Sequence, residues 1–312
     1  MRPAQFPEAL AGARHRSRPV NADWHAGPCR ALAAQFDGLT DPEALAARAE
    51  ALLSGEHWVS TLLAPLIDAL AADIWFEPGL RTSHDALRTG AVLLESEAIS
   101  IAATVTRATT LNAAPTPTTL VIPGRLTLTR YVRGGDARMR RWRTDPATPD
   151  FTAAAAPPCV ERSPLTLHDG MVLRHDGRTD GHLIVAADRD IVALAITIKP
   201  GAAPLMREYA VADGSFVRAA CADEAASRME MLLTFLRASR RPDAASGFET
   251  ATRHPAFHLR WAAMREWLML DARSARPRLA ELARGDANQE VRTAATATLA
   301  ALDRHLEPPC PA

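Results

Sequence analysis

Three histidines and three aspartates form the densest group of side chains in the sequence that could do chemistry. They lie in the stretch LHDGMVLRHDGRTDGHLIV, with histidines at 168, 175 and 182 and aspartates at 169, 176 and 180. If residues 176–181 form the loop of a β-hairpin, His175 and His182 become cross-strand neighbours with Cβ atoms about 5 Å apart. Two facing imidazoles and the carboxylate of Asp180 are ligands that suit iron or another divalent metal.

The same stretch also has an interpretation without a metal. His175 and Asp176 are adjacent, so in a strand their side chains point to opposite faces of the sheet. The three Asp-Gly dipeptides of this stretch, at 169–170, 176–177 and 180–181, are typical of turns. A solvated cluster of turn residues is therefore the simpler interpretation, and a metal site formed by His175, His182 and Asp180 is the alternative.

A metal held by two histidines and a carboxylate inside a β domain resembles the site of many cupin-like barrels. That resemblance implies a metal-dependent enzyme, for example an oxygenase that acts on a peptide substrate. The sequence departs from the cupin pattern in two places. The usual His-x-Asp spacing is absent, and the stretch KPGAAPLMREY has Arg207 and Glu208 where a cupin would show histidines after its glycine.

A second pair of histidines, His254 and His258, is four residues apart and could bind a metal from one face of a helix. Pro255 instead predicts that the helix begins here, with His254 at or before its N-cap and on a different face from His258. The residues between the two histidines include no acid, which a zinc protease motif would require. We therefore predict a structural role for this pair.

The segment that contains these histidines recurs along the chain. Residues 254–270 align with residues 286–302 at a spacing of 32, so Arg260 corresponds to Arg292. The position 32 residues before Arg260 is also an arginine, Arg228. A helical pair that recurs at this spacing is typical of a solenoid. We expect each arginine to bond neighbouring carbonyls or an acidic side chain, with a charge ladder along the solenoid as the alternative.

The repeated segment resembles HEAT repeats. His254-Pro255 and Asp286-Ala287 stand at the opening of each unit, and Leu259-Arg260 and Val291-Arg292 stand in its middle. The resemblance covers residues 222–304 and implies a short α-solenoid with an extended surface for a protein or peptide partner. The matching positions Trp267 and Leu299 should be buried between helices.

One helix of the repeat carries large side chains that could anchor such a partner. Arg260, Trp261 and Arg265 are the candidates, because tryptophan and arginine dominate binding hot spots. The alternative is that Trp261 packs against the β domain and fixes the angle between domains.

Composition excludes several classes of function. Lys+Arg and Asp+Glu both number 36 in the 312 residues, so no global charge attracts nucleic acid. The arginines that surround Trp142 in DARMRRWRT could bind phosphate, but a charged strand also protects the edge of a sheet. Four separated cysteines without a C-x-x-C pair favour a reducing cytoplasm. The most apolar helix is too polar to span a bilayer.

The periodicity of apolar residues predicts an α+β protein with a central antiparallel β-sandwich or jelly roll. The predicted parts are an irregular arm over 1–38, a helical segment over 39–83, the β domain over 84–221, HEAT-like helices over 222–304 and a tail over 305–312. No catalytic residue is assigned. The sequence favours a protein- or peptide-binding adaptor without a cofactor, with the cupin-like, metal-dependent enzyme as the alternative.

Overall fold

The computed structural model describes residues 6–55, 57–148 and 151–306. The protein is α+β, with antiparallel strand pairs in the middle of the chain and helices at its C-terminal end, as the periodicity predicts. The chain divides into two compact units. Unit 1 comprises residues up to 117, 125–141 and 162–201, and unit 2 comprises residues 118–124, 142–161 and from 202 onward. No helix in the described ranges is long and apolar enough to cross a membrane.

The helices of unit 1 come mainly from the N-terminal part of the chain. They are α1 Phe6–Trp24, α2 Arg30–Ala33, α3 Pro42–Ser54, α4 Trp58–Ala72 and the short α5 Ala108–Ala113. A π-helical turn, His25–Cys29, joins α1 to α2, and a 3-10 turn, Ala34–Phe36, follows α2.

The prediction of an irregular arm over residues 1–38 is wrong for its described part, which is helical from residue 6. Pro19 and Pro28 suggested a broken chain, yet both lie inside helical turns. Trp24, Leu32 and Phe36 are buried in the core of unit 1. Burial of an apolar face supplies most helical stability in proteins, so it outweighs the poor intrinsic propensity of this segment.

Two sheets form the β part of unit 1. The larger sheet has the order β1-β2-β3-β10-β5-β8, and the smaller has the order β7-β6-β9. The strands of the larger sheet are β1 Arg81–His84, β2 Arg88–Glu95, β3 Ile99–Thr106, β5 Leu126–Arg133, β8 Val172–Asp176 and β10 Ile191–Ile198. Those of the smaller sheet, which lies mostly in unit 1, are β6 Ala137–Arg143, β7 Val160–Leu167 and β9 Asp180–Ala186.

The larger sheet is covered on both faces. Its outer face packs against the N-terminal helices, for example Leu128 and Ile196 with Leu45. Its inner face meets the smaller sheet, where Tyr131 packs in one cluster with Met139. A strand with two buried faces needs apolar residues on both, which explains the nearly continuous apolar run of β10. Unit 1 is therefore a β-sandwich with helices on one side.

Unit 2 joins three strands to the C-terminal helices. The strands β4 Thr119–Ile122, β11 Leu205–Ala210 and β12 Phe216–Cys221 form an antiparallel sheet of order β12-β11-β4. The helices are α6 Glu224–Ala238, α7 Ala245–Ala251, α8 Phe257–Leu270, α9 Ala272–Gly285 and α10 Gln289–Leu306.

The compact units divide the chain differently from the predicted β domain over 84–221. Strands β4, β11 and β12 belong with the C-terminal helices, because Leu205 and Phe216 pack into the helical core around Phe248 and Leu259. Strand alternation in the sequence cannot show which core a strand joins, since both cores accept the same kind of apolar face.

The two aligned arginines make the same contacts. Nη1 of Arg260 donates to the carbonyl oxygens of Pro255 and His254, five and six residues before it, at 2.9 and 3.1 Å. Nη1 of Arg292 donates to the carbonyls at the same two offsets at 2.9 and 2.5 Å. The prediction that these arginines bond carbonyls is confirmed for Arg260 and Arg292. For Arg228 it stays a prediction. The HEAT-like class of these helices stays a prediction.

Candidate functional site

The two candidate metal ligands meet inside the sandwich of unit 1. His175 lies on β8 in the larger sheet, where it is paired with Thr127 of β5. His182 lies on β9 in the smaller sheet. Their ring centroids are 4.5 Å apart and the ring planes cross at 87°. The expected contact is present, but the reason given for it is wrong, because the two strands belong to different sheets and are not partners in a hairpin.

Both imidazoles are neutral at physiological pH. Burial lowers the pKa of His175, and it lowers the pKa of His182 to about 3, with the nearby His175 and Arg88 acting in the same direction. Nε2 of His175 and Nδ1 of His182 are buried and have no hydrogen-bond partner. A hydrogen bond between the His175 ring and the backbone of Asp180 opposes this lowering of the pKa of His175. That bond favours the charged ring, so Nδ1 donates it to the carbonyl, and Nε2 keeps a free lone pair.

Hydroxyl groups lie on the same face of the larger sheet as His175. Residues directly opposite each other in a sheet share a face. His175 is opposite Thr127, which is opposite Thr197 of β10. The hydroxyls of these two threonines are 3.3 Å apart. Burial also raises the pKa of Tyr131 on β5 to about 12, so its phenol stays protonated. The face of the sheet that carries His175 therefore also carries hydroxyl groups.

The donor atoms fit a divalent metal in kind but not in number. In the described part of the chain, no group of three or more His, Cys, Asp or Glu side chains is placed to hold a metal ion. The sequence suggested that Asp180 completes a three-ligand set with the two histidines, but its carboxylate is not placed to do so. His175 does have the arrangement of a ligating histidine, since its other ring nitrogen is fixed by a carbonyl.

The remaining polar side chains of this stretch lie at strand ends and in turns. His168 is exposed and lies 3.4 Å from the carboxylate of Asp136. Asp169 accepts a hydrogen bond from the backbone N–H of Gly134 at 2.8 Å. Asp176 pairs with Arg178 at 2.7 Å. None of these contacts brings a further ligand to the two buried histidines.

A second candidate site is a cavity of about 820 Å³ within unit 2. All six residues of β12 line it, and α8 contributes Trp261 and Arg265. Two of the three predicted partner-binding residues therefore share one cavity. The third, Arg260, does not line it, because its guanidinium is held by the Asp286 carboxylate at 2.6 and 2.7 Å and by two backbone carbonyls. The assignment of Arg260 to a binding surface is corrected to a structural role.

The same cavity contains a contact that the sequence did not reveal. Nε2 of His258 lies 3.0 Å from Sγ of Cys221, although the two residues are 37 positions apart. Burial raises the pKa of Cys221 and lowers the pKa of His258, so the resting pair is an uncharged thiol and imidazole. The only available signal was that Cys221 ends the last strand and His258 stands near the start of a helix.

His254 takes no part in that contact. It precedes α8, and its Nδ1 accepts a hydrogen bond from the backbone N–H of Ala256 at 3.1 Å. This is the structural role that the sequence predicted for His254. The prediction for His258 was incomplete, because its ring bonds Cys221.

The sequence matches no protein-family model and no curated protein. The solved structures that resemble it include cupin-like proteins. Ectoine synthase from P. lautus is 13% identical, with 38% of this chain and 68% of that chain covered and a TM-score of 0.23. The oxalate decarboxylase formate complex from Lactobacillus farciminis is 11% identical, with 42% and 33% covered and a TM-score of 0.28. KdgF from Halomonas sp. is 8% identical, with 38% and 88% covered and a TM-score of 0.25.

The chain thus spans about a third of the oxalate decarboxylase that it resembles. These matches give no evidence for HEAT repeats.

Proposed function

We propose that unit 1 is a cupin-like, metal-dependent enzyme domain in which His175 and His182 are the protein ligands. One observation carries this proposal. Nε2 of His175 and Nδ1 of His182 are buried in the sandwich without a hydrogen-bond partner, next to each other. An unpaired buried polar atom costs about 1–3 kcal/mol, so two of them side by side favour a ligand that binds both.

The residues of the chain prepare this position. The carbonyl of Asp180 fixes the ring of His175, and both rings are partly buried between the two sheets. Two histidines leave the other coordination positions to water and substrate, which is the condition for a catalytic rather than a structural metal. When bound, a divalent metal such as iron would supply Lewis-acid activation of a coordinated oxygen. The hydroxyls of Thr127 and Thr197 would orient polar groups of the substrate.

The finer form of the proposal is an iron-dependent oxygenase that acts on a peptide. It is supported by the imidazole ligands and the open positions, a combination that non-haem iron oxygenases use together with one carboxylate. We place the protein in the cytoplasm, which is supported by the reduced thiols of Cys29 and Cys221.

Metal analysis of the purified 312-residue chain tests the proposal. We expect one iron, manganese or zinc ion per chain to survive gel filtration, and the variant His175→Ala/His182→Ala to lose it. His168→Ala is the matched control, since this exposed histidine lies in the same stretch, and it should keep the ion. A wild-type protein that stays metal-free after titration with Fe²⁺, Mn²⁺ and Zn²⁺ would refute the proposal. Equal metal content in the double variant would do so as well.

A second candidate function is the binding of a protein or peptide partner by unit 2. The observation that favours it is that Trp261 and Arg265 line one cavity beside β12, which lies at the end of its sheet. A pull-down from native lysate with wild type and with Trp261→Ala/Arg265→Ala tests this function. The double variant should recover the partner at a much lower level while it keeps the thermal midpoint of the wild type. Equal recovery would exclude this surface.

A further inference from the structure

Cys221 and His258 form a thiol–imidazole pair that neither proposed function uses. Cys221 is the last residue of β12, and His258 is the second residue of α8. Both line the cavity of unit 2, and their Sγ and Nε2 atoms are 3.0 Å apart. A sulfur and a ring nitrogen at this distance can exchange a proton directly, which is the first requirement of a nucleophile with its base.

The surroundings hold the two groups in this geometry. The thiol also lies 3.0 Å from the carbonyl oxygen of Asp223, and the side chain of Ser227 hydrogen-bonds it. The carboxylate of Asp223 caps α6 through the backbone N–H of Ala225 at 2.8 Å, so the loop after Cys221 is fixed. Nδ1 of His258 is buried without a hydrogen-bond partner, which leaves the sulfur as the ring's hydrogen-bonding neighbour in the described structure.

The shape and lining of the cavity indicate what could reach the thiol. Its volume of about 820 Å³ lies in the range of small-molecule sites. Its lining includes the apolar side chains of Phe216, Phe257, Trp261 and Val291, beside charged ones. Walls of this kind suit an unbranched or aromatic apolar chain whose reactive end meets the sulfur.

We propose that Cys221 is a nucleophile that takes an apolar acyl group from an ester or thioester, with His258 as its general base. The bond from Sγ to the acyl carbon forms while the thiol proton passes to Nε2 of His258. The bond from the acyl carbon to the leaving oxygen or sulfur then breaks, and the leaving group takes the proton from His258. The products are an acyl thioester on Cys221 and a free alcohol or thiol, with no change in oxidation state.

The uncharged resting state makes His258 essential to this reaction. Burial keeps the pKa of Cys221 above and that of His258 below its ordinary value. A preformed thiolate is therefore scarce, and attack requires that the base remove the proton during bond formation. Loss of a positioned base lowers a rate by about 100-fold or more.

The test uses p-nitrophenyl acetate, butyrate and octanoate with the 312-residue chain. We expect a burst of one p-nitrophenolate per chain and an acyl adduct that peptide mass mapping places on Cys221. Each added CH₂ group should raise the acylation rate about threefold to fourfold while the apolar walls still bury it. Cys221→Ala should abolish the adduct, and His258→Gln should slow its formation about 100-fold.

His168→Gln is the control, because this exposed imidazole lies in unit 1 and does not contact the thiol, and it should react at the wild-type rate. Circular dichroism and the thermal midpoint check that each variant is folded. The proposal is overturned if wild type forms no adduct, if the adduct lies on another cysteine, or if folded His258→Gln reacts as fast as wild type. The variant His175→Ala/His182→Ala should keep full acylation, so the outcome is independent of the metal proposal for unit 1.

Discussion

Asp286 shows how much of unit 2 depends on one side chain. Its carboxylate accepts hydrogen bonds from Arg260 at 2.6 and 2.7 Å and from the backbone N–H of Asn288 at 2.8 Å. The side chain is only 2% exposed. Burial by itself would raise the pKa of Asp286, but the bonds from Arg260 and Asn288 outweigh it and lower the pKa below its ordinary value.

This lowered pKa predicts how stability changes with pH. The folded pKa lies below the unfolded value of about 3.9, so the ion pair stabilises the protein above that pH and loses its effect as the pH falls through the folded pKa. We expect Asp286→Asn to lower the thermal midpoint strongly at pH 7, and the difference from wild type to shrink below about pH 4. Arg265→Gln, an exposed arginine on the same helix as Arg260, should change the midpoint little. A difference that stays constant down to pH 3 would contradict the assignment.

Trp267 tests the packing of the aligned helices. It is 5% exposed, and its ring N–H donates to the hydroxyl of Ser274 at 3.0 Å, whereas its counterpart Leu299 is only partly buried. Trp267→Ala should lower the free energy of unfolding by about 3–5 kcal/mol in chemical denaturation. Met269→Ala, on the same helix but 59% exposed, should stay within about 0.5 kcal/mol of wild type. A loss of unfolding free energy below about 1 kcal/mol for Trp267→Ala would contradict the alignment of residues 254–270 with residues 286–302.

At the scale of elements, two turns of the same sequence type differ in how tightly they are packed. Asp169-Gly170 and Asp213-Gly214 both have a glycine with positive φ, 79° and 71°. A Cβ at Gly214 would collide with the carbonyl of Cys159, whereas a Cβ at Gly170 meets nothing within 4 Å.

This difference predicts unequal costs for the same substitution. Gly170→Ala pays the backbone cost of a left-handed alanine, about 1–2 kcal/mol. Gly214→Ala should cost clearly more, because the strands β11 and β12 or the Cys159 segment must also move. Urea denaturation of the two variants measures the difference. Equal losses of unfolding free energy in the two variants would mean that the residues around Cys159 move aside without a free-energy cost.

The arginine-rich strand β6 also takes its role from its neighbours. The sequence suggested that it protects a sheet edge, but it lies between β7 and β9. Met139 and Trp142 are buried, and Arg141 bonds the carbonyl of Ser163 at 2.9 and 3.0 Å. This strand is therefore internal to its sheet, and Arg141 is engaged within the protein.

At the scale of the whole molecule, charge balance predicts no affinity for nucleic acid. Lys+Arg and Asp+Glu both number 36, and β6 shows no stripe of free arginines in the described structure. We expect fluorescence anisotropy with single- and double-stranded DNA to detect no binding at about 150 mM salt, where phosphate contacts are already weakened. Tight binding that falls steeply with added salt would contradict this prediction.

The sequence by itself determined the features that depend on near neighbours in the chain. Helix α3 begins where Asp41 caps it and Pro42 sets its first turn, and Gly55 follows its last residue. The Asp-Gly turns, the change from strands to helices after Cys221 and the matching contacts of Arg260 and Arg292 follow the same rule. Capping, turn chemistry and helical periodicity act over a few residues, so their signals are complete in a short stretch of sequence.

Only the tertiary structure decided which elements share a core and which side chains meet. It joined β12 to the C-terminal helices, placed His175 and His182 in two facing sheets, and brought Cys221 to His258 across 37 residues. Burial of apolar surface is nearly non-directional and does not name its partner, so a strand or helix with one apolar face fits more than one core. The two contacts that could carry chemistry depend on which elements share a core. Residue spacing therefore predicted the contact of His175 with His182 for the wrong reason, and it did not predict the contact of Cys221 with His258.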